Sequence, residues 1–214
     1  MVDKEKIKEA IVIFLKAIGE CPEREGLIET PGRVADMCEE IFSGIAKDPD
    51  SNFKTFHETF CDNYKEYQHN GFNKTQPAFI DEKILQEECV VVENIPVYSV
   101  CEHHLLPFWG EAKVGYVPTN KNIIGLSKIA RVVDGFSRRL QVQERLTTQI
   151  ANLFFYKLNA KAVVVIIEAE HLCMTMRGIK ARGAKTRTVV SREREECSAT
   201  SRINILKTFL MAEK

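Results

Sequence analysis

Ala162-Val163-Val164-Val165-Ile166-Ile167-Glu168 is an almost continuous apolar run, and it marks a buried strand. Working back from it, Val142 to Leu158 reads as a helix with Leu146, Ile150, Leu153 and Phe154 turned inward. Ser127 has the character of an N-cap for an earlier helix whose apolar face is Ile129, Val132, Val133 and Phe136. Further upstream, Ala112, Val114 and Tyr116 alternate as in a half-buried strand, followed by a turn at Thr119-Asn120-Lys121-Asn122. Cys89–Val92 and Val97–Val100 read as two strands broken at Asn94-Ile95-Pro96. Downstream of the run, Met174–Arg177 and Thr186–Val190 are expected to pair as the last strands, and Ile203, Leu206 and Leu210 to form a closing helix.

The N-terminal part differs. Ile7, Ala10, Ile11, Phe14, Leu15 and Ile18 make a helical apolar stripe that Gly19 and Pro22 end. Thr30-Pro31 predicts a second helix, with Thr30 as N-cap and Val34, Met37, Cys38, Ile41 and Phe42 as its buried face. Residues 47–82 have no clear period and read as a long irregular connection. The expected class is α+β with an antiparallel sheet. Residues 1–84 form an N-terminal helical region with its connection, and residues 85–214 form the second domain. There is no βαβ alternation and no Gly-rich phosphate loop.

Composition narrows the function. The 30 basic and 30 acidic side chains balance, so neither nucleic acid nor an anionic membrane is an expected partner. No apolar run approaches the length of a membrane span. The first residues lead into a charged amphipathic segment, and seven cysteines without a framework pattern suit a reducing compartment. The expected location is cytoplasmic.

Chemistry concentrates at Cys101-Glu102-His103-His104, with His171 and Cys173 as a second pair. Thiolate sulfur and imidazole nitrogen are the ligands that Zn²⁺ prefers. Read as a strand, His171-x-Cys173 puts two candidates on one face. Any one of these residues alone is better read as a core cysteine or a satisfied polar group; three of five histidines beside two of seven cysteines favour a metal site. Five candidates exceed the four places of tetrahedral zinc, and a spare histidine beside a metal-activated water suits proton transfer. The pattern leans to catalysis and leaves open which histidines ligate.

A second constellation points to phosphate. Lys128 and Arg131 lie three apart in the first turn of the helix that Ser127 opens, where cations are unfavourable unless an anion joins them. Arg177, Lys180, Arg182, Lys185 and Arg187 form a further basic run, which on its own would read as a solvated face. Arg192-Glu193-Arg194-Glu195-Glu196 alternates in sign and is assigned to solvent.

Four segments together resemble the GTP cyclohydrolase I family. They are Tyr98-Ser99-Val100-Cys101-Glu102-His103-His104-Leu105-Leu106-Pro107-Phe108, Ile124-Gly125-Leu126-Ser127-Lys128, Arg138-Arg139-Leu140-Gln141-Val142-Gln143-Glu144-Arg145-Leu146-Thr147 and His171-Leu172-Cys173-Met174-Thr175-Met176-Arg177-Gly178. Glu29-Thr30-Pro31-Gly32-Arg33-Val34-Ala35-Asp36-Met37 is similar to the family's helix after its entry loop. The resemblance covers most of the chain. It implies a tunnelling fold, a four-stranded antiparallel sheet with two helices on one side, assembled into a toroidal homodecamer with active sites at subunit interfaces. It implies the conversion of GTP and water to 7,8-dihydroneopterin triphosphate and formate, the first step of tetrahydrofolate or tetrahydrobiopterin biosynthesis.

Carried over by residue, the resemblance gives Cys101, His104 and Cys173 as Zn²⁺ ligands with water in the fourth place, and attack at C8 of the guanine. His103 and His171 become general acid–base groups. Glu144 accepts hydrogen bonds from guanine N1–H and the 2-amino group, with Gln143 beside it. Ser127, Lys128, Arg131 and Arg177 join in substrate binding, the three cations on the triphosphate, and Arg33 adds a phosphate contact from a neighbouring subunit. The chain departs from the family pattern near residues 57–82 and at Val189–Arg194, neither of which includes a ligand. Two rival readings are a structural-zinc interaction scaffold, which would need neither Glu144 nor the spare histidines, and another tunnelling-fold enzyme acting on a pterin or deazapurine. The Cys-Glu-His-His and His-Leu-Cys pair separates the cyclohydrolase from the latter.

Overall fold

The computed structural model describes residues 2–51, 53–57, 89–119 and 122–194. Helix α1 (Lys4–Ala17) is capped by Asp3, whose carboxylate accepts the Lys6 N–H at 3.2 Å. It packs on α2 (Thr30–Ile41). Here the N-cap is Glu29, and Thr30 already lies inside the helix with Pro31 in its first turn. The reason is local: Glu29 has φ −94° and ψ −8°, so the chain turns helical before Thr30 and leaves no extended residue whose hydroxyl could fold back. Leu15 and Ala35 are the buried residues of this pair, and the expected burial of Met37 fails, since it is exposed together with Ile13, Phe14 and Ile18.

Strand β1 (Thr55–His57) was not expected from sequence. The strand β2 (Val90–Cys101) is continuous through Asn94-Ile95-Pro96, where a break was expected. A register shift between Val92 and Ile95, with Asn94 at φ +55°, absorbs the irregularity as a bulge. It forms an antiparallel hairpin with β3 (Pro107–Val117), and β4 (Asn122–Ile124) then returns to pair with β1 in a small separate sheet. Helix α3 (Leu126–Ser137) has Gly125 as N-cap, so Ser127 is an exposed residue of the first turn and caps nothing. After the two-residue β5 (Leu140–Gln141) come α4 (Gln143–Lys157) and the apolar run, now β6 (Ala162–His171).

Met174–Arg177 is not a strand. Leu172–Thr175 forms one helical turn, α5, and only β7 (Lys185–Glu193) adds to the sheet. The main sheet runs β5-β2-β3-β6-β7, antiparallel except for the short β5, which lies parallel to β2. Four long antiparallel strands therefore carry it, as the α+β expectation has it. The closing helix expected at Ile203–Leu210 lies outside the described residues.

Strand β6 alternates between two faces. Val163, Val165, Ile167 and Ala169 enter the main core with Leu146, Ile150 and Phe154 of α4 and with Ile129 and Val133 of α3. Val164 and Ile166 form a smaller cluster with Val117 on the other face. Burial on both faces explains the unbroken apolar run, and each buried Val or Ile in it contributes about 1.5–3 kcal/mol of transfer free energy. Gly110 on β3 lies opposite Ala169, and a Cβ placed there would sit 1.9 Å from the Glu168 carbonyl oxygen. Only glycine lets these two strands approach so closely.

The charged stretch Arg192–Glu196 is corrected in its first part, while Glu195 and Glu196 lie outside the described residues. Arg192 donates to Asn152 at 2.9 Å, and Arg194 bonds the Ala160 carbonyl at 3.2 Å and lies over the Phe155 ring. Arg192 and Arg194 stand two apart along the chain that ends β7, so one side of it carries both guanidinium groups back onto α4 and the loop that follows it, not into solvent.

Candidate active site

Strand register assembles the site. Pro107 and Phe108, the first residues of β3, pair with Val100 and Ser99 on one side, and Phe108 pairs with His171 on the other. The last residues of β2 and β6 therefore meet at one end of the sheet. Between β2 and β3 the chain turns tightly: Cys101 N–H donates to the Leu106 carbonyl at 2.8 Å, and Leu105 N–H to the Cys101 carbonyl at 2.8 Å. Leu105 closes this turn at φ +54°, a left-handed conformation that costs a branched side chain free energy and is tolerated where the surroundings impose it.

That turn folds His104 back over Cys101, with Nδ1 3.7 Å from Sγ. Cys173 arrives from α5, directly after β6, so the pair His171 and Cys173 lies across a strand-to-helix junction and not on one strand face. One donor atom each from Cys101, His104 and Cys173 falls within 4.8 Å of the others, with Cys101 buried and His104 exposed. Such a set fits a metal ion with a place left open. The electrostatics agree. Burial pushes the Cys173 thiol up, and the adjoining Cys101 pushes it further, while Arg177 pulls the other way. Two neighbouring thiols resist ionising together unless a cation joins them.

His103 and His171 surround this cluster differently. His103 is 65% exposed on the turn, 3.9 Å from Glu102. Arg145 clamps the Glu102 carboxylate, also donating to Gln141 Oε1 at 3.0 Å, and this pairing holds Glu102 below the usual carboxylate range. His171 is half-buried; burial lowers its pKa, and the Glu144 charge opposes that shift. Its ring stacks on Phe108 at 4.5 Å and 8°. Its Nε2 lies 2.7 Å from Gln143 Oε1. Glu144 is exposed in the first turn of α4, where the helix dipole favours an anion.

The other expected residues separate into groups. Lys128 and Arg131 line a cleft of 180 Å³ with Lys47 and Arg138, and Asp48 and Asp134 share it. Arg177 is exposed but close enough to Cys173 to act on its thiol. Lys185 and Arg187 both bond Glu168 across the β6–β7 pair, so this part of the basic run is a strand clamp. Arg33 sits on α2 and pairs with Glu29. Sequence reasoning missed Glu102–Arg145 and the partners of Gln143. One signal was present: Gln143 falls on the same helical stripe as Leu146, Ile150 and Phe154, where a polar residue requires a polar partner.

Fold and site define a class, an α+β protein carrying a three-donor Cys-His-Cys cluster and two further histidines at one end of an antiparallel sheet. The sequence profile of GTP cyclohydrolase I matches residues 7–69 and 61–209. The protein named GTP cyclohydrolase 1 of Carboxydothermus hydrogenoformans is 50% identical over 188 residues, covering 88% of this chain and 85% of its own. That of Acetivibrio thermocellus is 47% identical over 206 residues, 96% of this chain and 97% of its own. The Clostridioides difficile protein of the same name is 45% identical over 210 residues, 98% of each chain. This chain belongs to the GTP cyclohydrolase I family. Among solved structures, the apo archaeosine synthase QueF-Like aligns with 50% of this chain and 94% of its own at TM-score 0.41 and 17% identity, too slight a likeness to bear on function.

Proposed function

We propose that the chain opens the imidazole ring of GTP at C8, releasing formate and forming 7,8-dihydroneopterin triphosphate, with Zn²⁺ held by Cys101, His104 and Cys173. The observation that carries this is the convergence of those three donors within 4.8 Å, beside His171, in a member of this family. When bound, zinc supplies a Lewis acid that lowers the pKa of water from 15.7 to about 7.

The chain's own residues do the rest. Glu144 accepts from N1–H and the 2-amino group of guanine, a donor pair that adenine lacks. Lys128, Arg131 and Arg177 neutralise the triphosphate, with Ser127 beside them and Arg33 reaching in from a neighbouring subunit. His103, exposed on its turn, and His171, held between Phe108 and Gln143, give and take protons as ring nitrogens and the ribose oxygen leave. The exposed apolar side chains of α1 and the sheet ends at β5 and β7 support assembly of a tunnelling-fold ring and a toroidal decamer. Among the described residues no helix is long and apolar enough to cross a membrane, which accords with a cytoplasmic enzyme.

The test is incubation of the purified protein with GTP, followed by assay of formate and, after oxidation, fluorescent neopterin. Both products should appear in equal amounts. Formate without neopterin, or neither, would overturn the reading.

A further inference from the structure

Gln143 is 1% exposed, and its whole amide is engaged within the subunit. Nε2 lies 3.0 Å from the Ile167 carbonyl oxygen, 2.9 Å from that of Thr186 and 3.1 Å from Thr188 Oγ1. Carbonyl oxygens only accept, so the amide nitrogen must face them; the flipped amide would set oxygen against oxygen in a buried place. The hydroxyls agree. Thr147 donates to the Gln143 carbonyl at 2.7 Å, so across the 2.6 Å contact between Thr147 and Thr188 the donor is Thr188. Thr188 then offers only lone pairs to Gln143 Nε2. The two amide hydrogens thus face three acceptor oxygens, which fixes the orientation of the amide and leaves Gln143 Oε1 as an acceptor 2.7 Å from His171 Nε2.

We infer that Gln143 is a positioning residue which fixes neutral His171 as its Nε2–H tautomer, leaving Nδ1 as the atom that exchanges protons during the reaction. The proton taken up arrives on Nδ1 and departs from Nδ1, while Nε2–H stays bonded to Gln143 throughout. Phe108, stacked at 4.5 Å, fixes the plane of the ring, and the Gln143 amide fixes its rotation within that plane. This rests on the proposed role of His171 in proton transfer. It also assigns the amide to His171 and not to the guanine base.

The test is ¹⁵N NMR of histidine-labelled, zinc-loaded protein without GTP, with a His171→Asn sample to assign the resonance. Wild-type His171, when neutral, should carry its proton on Nε2. Gln143→Met should populate the Nδ1–H form and lower kcat by about 10–100-fold, as loss of an orienting partner does, with KM for GTP within about threefold. A wild-type Nδ1–H tautomer would overturn the inference without reference to any variant. So would an unchanged tautomer and kcat in Gln143→Met, or a raised KM with kcat intact, which would make the amide a substrate ligand. Because the tautomer is read without GTP, a wild-type protein with the Nε2–H form but no turnover would sink the proposed activity and leave this assignment standing.

Discussion

Cys101 and Cys173 show what one residue's surroundings decide. Each is a small, easily buried side chain, yet their sulfurs share a three-donor cluster with His104, where burial and then Cys101 push the Cys173 thiol up. Removing one should therefore abolish binding and not merely weaken it. In Cys173→Ala, zinc per subunit should fall from about one to near zero, with the circular dichroism of the folded protein retained because the core lies in the sheet and helices. Metal analysis beside the spectrum checks this, and full occupancy in the variant would refute the ligand set. Glu144 offers the complementary case. Glu144→Gln should keep its zinc while GTP turnover falls by at least about 10²-fold, since a site built for two donors presents the wrong group to one of them. Near-normal turnover and affinity would reduce Glu144 to an exposed residue of a helix start, where neutralisation changes about 0–1 kcal/mol.

At the scale of elements, the β6–β7 pair is tied by Glu168 to Lys185 and Arg187. Arg187 first and Lys185 second hold the Glu168 carboxyl below its ordinary value of 4.5. A depressed carboxylate adds stability that is fully present above its unfolded value and is lost as pH falls through its folded one. Wild type should therefore exceed Glu168→Gln by about 0–1 kcal/mol near neutrality, and the two should converge on the acid side of 4.5. Urea melts across that range measure the difference; a gap that widened with acid would contradict the sign. Elements such as β6 and α4 were legible in the sequence because burial imprints a long pattern on them. The caps were not. Thr30 and Ser127 have the right chemistry, but Glu29 and Gly125 set the helix starts through backbone angles that composition does not encode. The one-turn α5 and two-residue β5 are too short to show a period, and β1 owes its pairing to β4. Within the site, residue types marked Cys101, His104 and Cys173 as ligand candidates, whereas the clamp on Glu102 depends on Arg145, a contact across 43 residues.

For the whole molecule, α1 carries apolar side chains that the described residues of the chain leave uncovered. Phe14 and Ile18 are 56% and 58% exposed, although the sequence pattern puts both on a buried stripe, and Ile13 beside them is 68% exposed. Large apolar side chains grouped on one helix seek a cover, and in the proposed ring a second copy of the chain would provide it. Phe14→Ser with Ile18→Ser should shift the protein from a large oligomer toward smaller species in light scattering while the sheet remains folded. An unchanged mass would place the assembly contacts elsewhere.

The cluster also has a consequence for how the chain holds together. Cys101 and Cys173 are about seventy residues apart, and the intervening chain contains β3, β4, α3, β5, α4 and β6. An ion gripping both would act as a reversible cross-link, tying off a long loop and trimming the entropy of the unfolded chain more than that of the folded one. The same three side chains would then serve two ends at once: a site for chemistry at the rim of the sheet, and a knot whose loosening by a chelator would lower the melting point of a core that stays folded.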